Sequence, residues 1–225
     1  VGGVLVTRAM LSATYTTVTL RSYLNCLQAS YPKKNIHLVP HGTFDTGARD
    51  YAAIDARPKR IVTMGKFGTY KRLDTLLAAF DELRQDSVFA DYELVIGGTD
   101  HPNAQGYMAA MEEARETDPG VHFRGYIAED DIPDFFGNAR ASIFDYSATT
   151  GSSGVLHQTA CYGAVPVFPN IGDFVDVCRD EGLAGANYAP DDAGDMAQAM
   201  RGILGDLETA EELAAGNKIA SLELP

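Results

Sequence analysis

Strand-like and helix-like runs alternate along most of this chain, and this alternation constrains the fold more than any other feature. The first pair is the β-branched run Arg60–Lys66 and a segment from Lys71 to Leu83 with apolar residues at helical spacing. Four more strand-like runs follow, each with a helix-like segment after it: Tyr92–Gly97, Val121–Tyr126, Ala141–Tyr146 and Ala164–Phe168. Five such steps predict an α/β fold, a doubly wound parallel sheet with helices on both faces.

The helix-like segments also indicate which side chains face the core. Tyr107, Met108 and Met111 form an apolar stripe at helical spacing, which favours core packing over a cofactor contact because methionine commonly fills gaps. A Gly/Ser stretch opens a helix predicted over Ser153–Tyr162, and an acidic start after Pro190 opens the last one, since carboxylates are favourable at a helix N-terminus.

The first quarter of the chain does not continue this pattern. Ile36–Pro40 is strand-like, whereas residues 43–58 have no clear period. We therefore predict that residues 1–57 are the tail of a preceding domain and a linker, and that residues 58–225 form the sheet domain. The chain begins with Val1 rather than Met, as a fragment of a longer protein would.

Composition excludes several classes of protein. The formal net charge of −13 opposes binding to nucleic acid or to an anionic membrane by charge. No apolar run reaches the roughly 18 residues that a membrane span needs. The three cysteines are scattered and odd in number, which argues against a disulfide framework and predicts a reducing, cytoplasmic setting. We expect Cys161 and Cys178 to be core thiols.

The common motifs of α/β enzymes are missing from the sequence. There is no G-x-G-x-x-G after a strand, no P-loop and no G-x-S-x-G turn. There is also no H-E-x-x-H, paired C-x-x-C or Asp-x-Asp, and the five histidines do not cluster at ligand spacing. We therefore expect neither a bound metal nor a nicotinamide or flavin cofactor.

Two segments remain at the edge where a doubly wound sheet binds ligands, the carboxyl ends of its strands. In the first, Gly65–Lys71, we expect Lys66 to end a strand and Lys71 to lie in the first turn of the next helix. Two ammonium groups beside free helix amides suit a diphosphate. The same spacing equally fits a solvated loop with two surface lysines.

The second segment is Thr149–Val155, rich in glycine and hydroxyls between a strand and a helix. Taken alone, the segment is better explained by an ordinary serine N-cap. Because it opens on the same sheet edge as the lysines of Gly65–Lys71, we predict that its backbone amides form a concavity that binds an anion. We interpret the nearby Gly163 as a helix stop, and we expect His157 to be a packed or surface residue.

Taken in order, these segments resemble the C-terminal domain of a GT-B glycosyltransferase of the group 1, family-4 type. The resemblance runs from about Asn35 to Leu207 and includes IHLVPHGTFD, IVTMGKFGTYKRLDTLLAAFDEL, ELVIGG and GSSGVLHQTACYGAVPVFPNIGDF. It implies a Rossmann-like domain that binds a nucleotide-sugar donor, UDP- or GDP-linked. The acceptor, a carbohydrate or lipid, would be held largely by an N-terminal domain, through which membrane association stays possible.

The resemblance also implies roles for individual residues. Lys66 and Lys71 would hold the donor diphosphate as the catalytic pair, and Tyr126 and Ile127 would lie against the base. The remaining donor-binding positions would be Gly65, Thr150, Gly151, Ser152, Ser153, Gly154, Val155 and Gln158. Thr150 and Gln158 stand where the family commonly has two glutamates, and Gln158 could bind a ribose only without charge.

The sequence therefore predicts a glycosyltransferase of carbohydrate biosynthesis, retaining if it follows the family and independent of metal. We expect the fragment alone to be inactive, because the acceptor domain is incomplete. Two alternatives stay open. The lost glutamates favour a non-catalytic module that binds a nucleotide sugar, and a GT-B sugar-nucleotide epimerase would share the fold.

Overall fold

A computed structural model describes residues 2–42, 50–148 and 151–224 of the chain. The N-terminal part contains two helices and two short strands: α1 (Gly2–Met10), β1 (Thr16–Val18), α2 (Arg21–Ser30) and β2 (Ile36–Leu38). β1 and β2 pair in parallel and form a two-stranded sheet of their own. The strand-like run that begins at Ile36 is thus confirmed, although it ends two residues earlier than predicted.

The larger part of the chain repeats strand and helix. Its strands are β3 (Arg60–Phe67), β4 (Glu93–Asp100), β5 (Val121–Gly125), β6 (Ala141–Ile143), β7 (Val165–Pro169) and β8 (Ala186–Tyr188). Its helices are α3 (Asp74–Leu83), α4 (Tyr107–Glu113), α5 (Ile132–Gly137), α6 (Gly154–Cys161), α7 (Gly172–Glu181), α8 (Ala193–Gly205) and α9 (Leu207–Leu222). Short 3-10 turns, Ile54–Ala56 and Glu129–Asp131, precede β3 and α5.

The six strands form one parallel sheet in the order β5-β4-β3-β6-β7-β8. From β3 the chain winds outward through β4 to β5, then crosses back to β6 and winds outward on the other side. The loops after β3 and β6 therefore leave the middle of the sheet in opposite directions and open a crevice between them. The predicted doubly wound parallel sheet is confirmed.

Alternating side chains of the central strands fill two cores. Ile61 of β3 joins the core under α3 and α8 with Phe80 and Met200, whereas its neighbour Val62 faces the core under α5 and α6 with Phe136. Burial of one such side chain stabilises the fold by roughly 1.5–3 kcal/mol. The predicted apolar stripe of α4 packs against the first core, as expected.

Two predicted boundaries at the sheet edge are wrong, and both errors have one cause. The helix expected from Lys71 begins at Asp74, and the strand expected to reach Tyr146 ends at Ile143. The residues between pair with each other instead, since the two loops lie side by side where β3 and β6 end. β8 and the helices α1, α2, α7 and α9 had no periodic pattern strong enough to predict them.

Candidate functional site

A cleft of about 140 Å³ opens at the carboxyl edge of the sheet, beside the point where β3 and β6 are neighbours. Both loops that the sequence analysis singled out contribute to it. Its lining consists of Tyr70, Lys71, Tyr146, Gly151, Ser152, Ser153 and Gly154. The strand order thus brings together residues that lie far apart in the sequence.

The two loops are joined by a short antiparallel bridge between Lys71 and Tyr146. The Ser147 N–H donates to the Tyr70 carbonyl at 2.8 Å, and the Arg72 N–H donates to the Asp145 carbonyl at 2.8 Å. These bonds fix the backbone on both sides of the bridge. The side chains of Lys71 and Tyr146 are therefore held against each other.

Lys71 is half-buried beside two aromatic rings. Its Nζ lies 4.7 Å from the ring centroid of Tyr146 and 5.8 Å from that of Tyr70. A Cβ added to Gly65 would lie 3.1 Å from the Lys71 Cδ, so the glycine leaves room for the lysine side chain. Burial lowers the pKa of Lys71 to about 8. Among the described residues, no carboxylate pairs with its ammonium group.

The turn into α6 forms the opposite wall of the cleft. Gly151 has a φ of +149°, a conformation that favours glycine. The Ser153 side chain caps the helix by accepting from the Leu156 N–H at 3.4 Å. The N–H groups of Gly154 and Val155 have no hydrogen-bond partner in the described part of the chain. The start of α6 therefore offers free amide donors to an anion.

At the start of α3, by contrast, other parts of the chain accept from several of the backbone N–H groups. Asp145 is buried, and its Oδ2 accepts from the N–H groups of Thr75 and Leu76 at 3.0 and 3.1 Å. The Leu73 N–H donates to the Tyr107 hydroxyl at 2.8 Å. Lys71 was expected to lie in this first turn beside free amides. It lies before the turn instead, because a carboxylate of the chain itself takes those amides.

Several buried hydroxyl groups around the cleft have no hydrogen-bond partner among the described residues: those of Thr69, Tyr146 and Ser152. Burial raises the pKa of Tyr146 far above its usual range, so its hydroxyl stays protonated and can donate. Tyr146 was not among the site residues predicted from the sequence. Its position three residues after a buried strand, at the same sheet edge as the lysine loop, was the available signal.

A buried histidine lies behind the α6 turn. His157 is 1% exposed. Its Nδ1 lies 2.7 Å from the Ser153 carbonyl oxygen, its Nε2 lies 2.6 Å from a Glu181 carboxylate oxygen, and its ring stacks on His41 at 4.6 Å. The expectation of a packed histidine is confirmed. It links α7 and the segment after β2 to the turn that lines the cleft.

Other predicted site residues lie outside the cleft. Lys66 is exposed at the end of β3 and is not among the residues lining the cleft. Tyr126, 74% exposed, and Ile127 line a separate groove of about 430 Å³ beside Phe135. Gln158 is half-buried on the second turn of α6.

Thr150, a predicted donor-binding residue, lies outside the described residues. Within residues 2–42, 50–148 and 151–224, no group of three or more His, Cys, Asp or Glu side chains is placed to hold a metal ion. Over the same residues, no helix combines the length and apolar character needed to cross a membrane.

Residues 58–206 match the family model described as "Glycosyl transferases group 1". A search of curated proteins finds no match.

Solved structures with the same fold are distant in sequence. HepE of Anabaena, crystallised in complex with UDP, is 16% identical, with a TM-score of 0.72 over 94% of this chain and 60% of that one. A glycosyltransferase of Rickettsia africae ESF-5 is 14% identical, with a TM-score of 0.76 over 95% and 60% of the two chains. The catalytic domain of the Helicobacter pylori cholesterol-α-glucosyltransferase is 15% identical, with a TM-score of 0.59 over 75% and 99%.

The first two of these structures are longer than this chain, which spans 60% of each. At these identities the likeness establishes the fold: a Rossmann-like α/β domain with the architecture found in GT-B glycosyltransferases.

Proposed function

The chain belongs to the group 1 glycosyl transferases, and from that premise we propose that it is the donor-binding part of a family-4 type enzyme. Residues 58–225 would be its C-terminal, nucleotide-sugar-binding domain, and residues 1–57 the tail of an N-terminal acceptor domain and a linker. One observation carries the proposal: the half-buried Lys71, whose ammonium group has no carboxylate partner among the described residues, lines one cleft together with the turn that opens α6.

A diphosphate is the ligand that suits this arrangement. Lys71 supplies a compact positive charge, and the amides of Gly154 and Val155 supply fixed dipoles that need no rearrangement. When the bond between sugar and phosphate breaks, negative charge grows on the departing diphosphate. Hydrogen-bond donors that are already in place stabilise that charge. The side chain of Lys66 is exposed and would reach the diphosphate from outside the cleft.

The rest of the donor would extend along the same edge of the sheet. In this proposal Tyr126 and Ile127 contact the base and Gln158 bonds to the ribose, with Gly65 leaving room for Lys71. UDP is the first nucleotide to test, because solved structures of the same fold hold UDP. GDP-linked sugars are the second choice.

The chemistry that we propose is a retaining transfer of a hexosyl group without a metal ion. The basis for metal independence is that the sequence lacks Asp-x-Asp while lysine and backbone donors supply positive potential. The retaining outcome follows the family resemblance. The acceptor, a carbohydrate or lipid, would enter from the side of the N-terminal domain, so the fragment alone would not transfer sugar.

A second candidate function rests on two positions. Thr150 and Gln158 replace the two acidic residues that the family resemblance leads one to expect. A neutral pair weakens contacts to the donor sugar and ribose. A module that binds a nucleotide sugar and transfers nothing, or a sugar-nucleotide epimerase of the same fold, would need the diphosphate cleft equally.

The test measures binding and turnover separately. Isothermal titration of this chain with UDP, GDP and ADP, with and without EDTA, should give binding of one nucleotide that EDTA leaves intact. Hydrolysis and transfer are then screened on the full-length protein with the corresponding sugars. Binding without turnover would favour the module, and a strict need for Mn²⁺ or Mg²⁺ would contradict the proposed chemistry.

A further inference from the structure

We propose that the hydroxyl of Tyr146 is a further ligand of the anion in this cleft, donating a hydrogen bond to a phosphate oxygen beside Lys71. The inference rests on the proposed diphosphate site and adds to it a residue that neither motif nor family resemblance singles out.

The first observation is the unpaired hydroxyl. Tyr146 is 3% exposed, and its Oη, although near the Ser153 side chain, makes no hydrogen bond of normal geometry in the described part of the chain. A buried donor without a partner costs roughly 1–3 kcal/mol, so an acceptor that reaches it from a ligand would recover that free energy. A phosphate oxygen would satisfy it.

The second observation is how firmly the ring is held. Tyr146 contacts Phe144 and Phe174 edge-on, with ring centroids 5.5 and 5.4 Å away. Its backbone forms the bridge to Lys71, whose Nζ lies over the same ring. The phenol is therefore fixed beside the one ammonium group that lines the cleft, and the unpartnered Ser152 hydroxyl also lies on that lining.

A comparison with Tyr188 shows that the hydroxyl of Tyr146 is not a general packing feature. Tyr188 is equally buried, but its hydroxyl donates to the Phe144 carbonyl at 2.5 Å and so has a structural partner. Tyr188 does not line the cleft. The two tyrosines belong to different hydrophobic clusters, and they differ in whether the fold itself uses the hydroxyl.

Tyr146→Phe tests the proposal, because it keeps the ring under Lys71 and removes only the oxygen. We expect the affinities for UDP and for inorganic pyrophosphate each to fall about tenfold or more, as loss of a hydrogen bond to a charged group should. The melting temperature without ligand should stay constant or rise, since an unsatisfied group is removed. The pH at which binding weakens, set by Lys71, should not move.

Tyr188→Phe is the matched control. It should lower the melting temperature, because the Phe144 carbonyl loses its donor, and leave both affinities within about twofold of the wild type. Equal loss of affinity in the two variants would overturn the proposal, since the effect would then come from the core.

Further outcomes separate this inference from the proposed function. If Tyr146→Phe binds both probes like the wild type while Lys71→Ala does not, the diphosphate site stands and the role of Tyr146 is wrong. If the wild type binds pyrophosphate with the expected Tyr146 dependence but binds no nucleotide, the inference stands and the proposed function fails. If the wild type binds neither probe, both fail.

Discussion

The starts of α3 and α6 lie side by side at the same edge of the sheet, yet they treat their free amides in opposite ways. At α3, the carboxylate of Asp145 and the hydroxyl of Tyr107 take the amides. At α6, a serine caps one amide, and Gly154, whose amide has no partner among the described residues, lines the cleft. The two helices follow adjacent strands, so the difference does not come from the sheet.

We infer from this difference that the start of a helix can bind an external anion only where the chain has not supplied an acceptor of its own. Asp145 follows β6 and reaches across to α3, whereas the segment before α6 offers glycine and serine. One loop thus closes its neighbour's helix and lines the cleft with its next residue, Tyr146. Burial raises the pKa of Asp145, although the hydrogen bonds from the two amides lower it. Burying this carboxylate therefore costs the fold some free energy.

The largest effect is expected when the positive charge of Lys71 is removed from the cleft. Lys71→Ala in the full-length protein should lower turnover about a hundred- to a thousandfold, as loss of one fixed electrostatic contact to a leaving group does. Lys71→Arg should recover part of this, because a planar guanidinium replaces a compact ammonium. Lys59→Ala is the control, since Lys59 forms an exposed ion pair with Asp91. Equal turnover in the two alanine variants would contradict the site.

The next largest effect is expected when the Asp145 carboxylate that caps the start of α3 is removed. Asp145→Ala should lower the free energy of unfolding by about 2–3 kcal/mol, because the amides of Thr75 and Leu76 lose their acceptor. Asp145→Asn keeps an oxygen and removes the buried charge, so it should lose less than half as much. Urea unfolding of the three proteins measures this. If the alanine and asparagine variants were equally stable, the capping role would be wrong.

A pH titration tests whether Lys71 binds the anion as an ammonium group, because burial lowers the pKa of Lys71 to about 8. Between pH 8 and the ordinary lysine range, the native side chain is neutral while the unfolded one still holds its proton, so stability rises with pH. Affinity for UDP should move the other way and fall by up to about tenfold per pH unit above pH 8. Lys71→Arg should lose both trends; a flat binding profile in the wild type would argue against an ammonium contact.

The smallest effect is expected when the Ser153 side chain that caps the start of α6 is removed. Ser153→Ala should lower the free energy of unfolding by only about 0.5–1 kcal/mol, since the Leu156 amide keeps its bond to the Ser153 carbonyl. Thermal melts beside Asp145→Ala give the ranking. A loss as large as that of the aspartate variant would mean that the two helix starts are closed to the same degree.

The sequence predicted the parts of this arrangement that depend on local pattern. The strand-like run Arg60–Lys66 was recognisable by its β-branched residues, and the buried face of α3 by the spacing of its apolar residues. The Gly/Ser turn before α6 and the basic loop were recognisable by composition, and their meeting followed from the rule for parallel sheets.

What could not be predicted depends on contacts between distant residues. The start of α3 moves from Lys71 to Asp74 because Asp145 supplies its cap, and nothing local to α3 announces that carboxylate. β8, only three residues long, has no period to read. The separation of Tyr126 from the cleft is likewise set by the path after β5, which the sequence pattern does not specify.

The bridge between Lys71 and Tyr146 also has a consequence for how the protein folds. It joins residues about 75 positions apart, and β4, α4, β5 and α5 all lie in the intervening loop, so closing it carries a large entropic cost. During synthesis the chain reaches the α6 turn only after the whole first half of the sheet has emerged. The cleft is therefore assembled late, and a nascent chain exposes its lysine to solvent long before it can hold an anion.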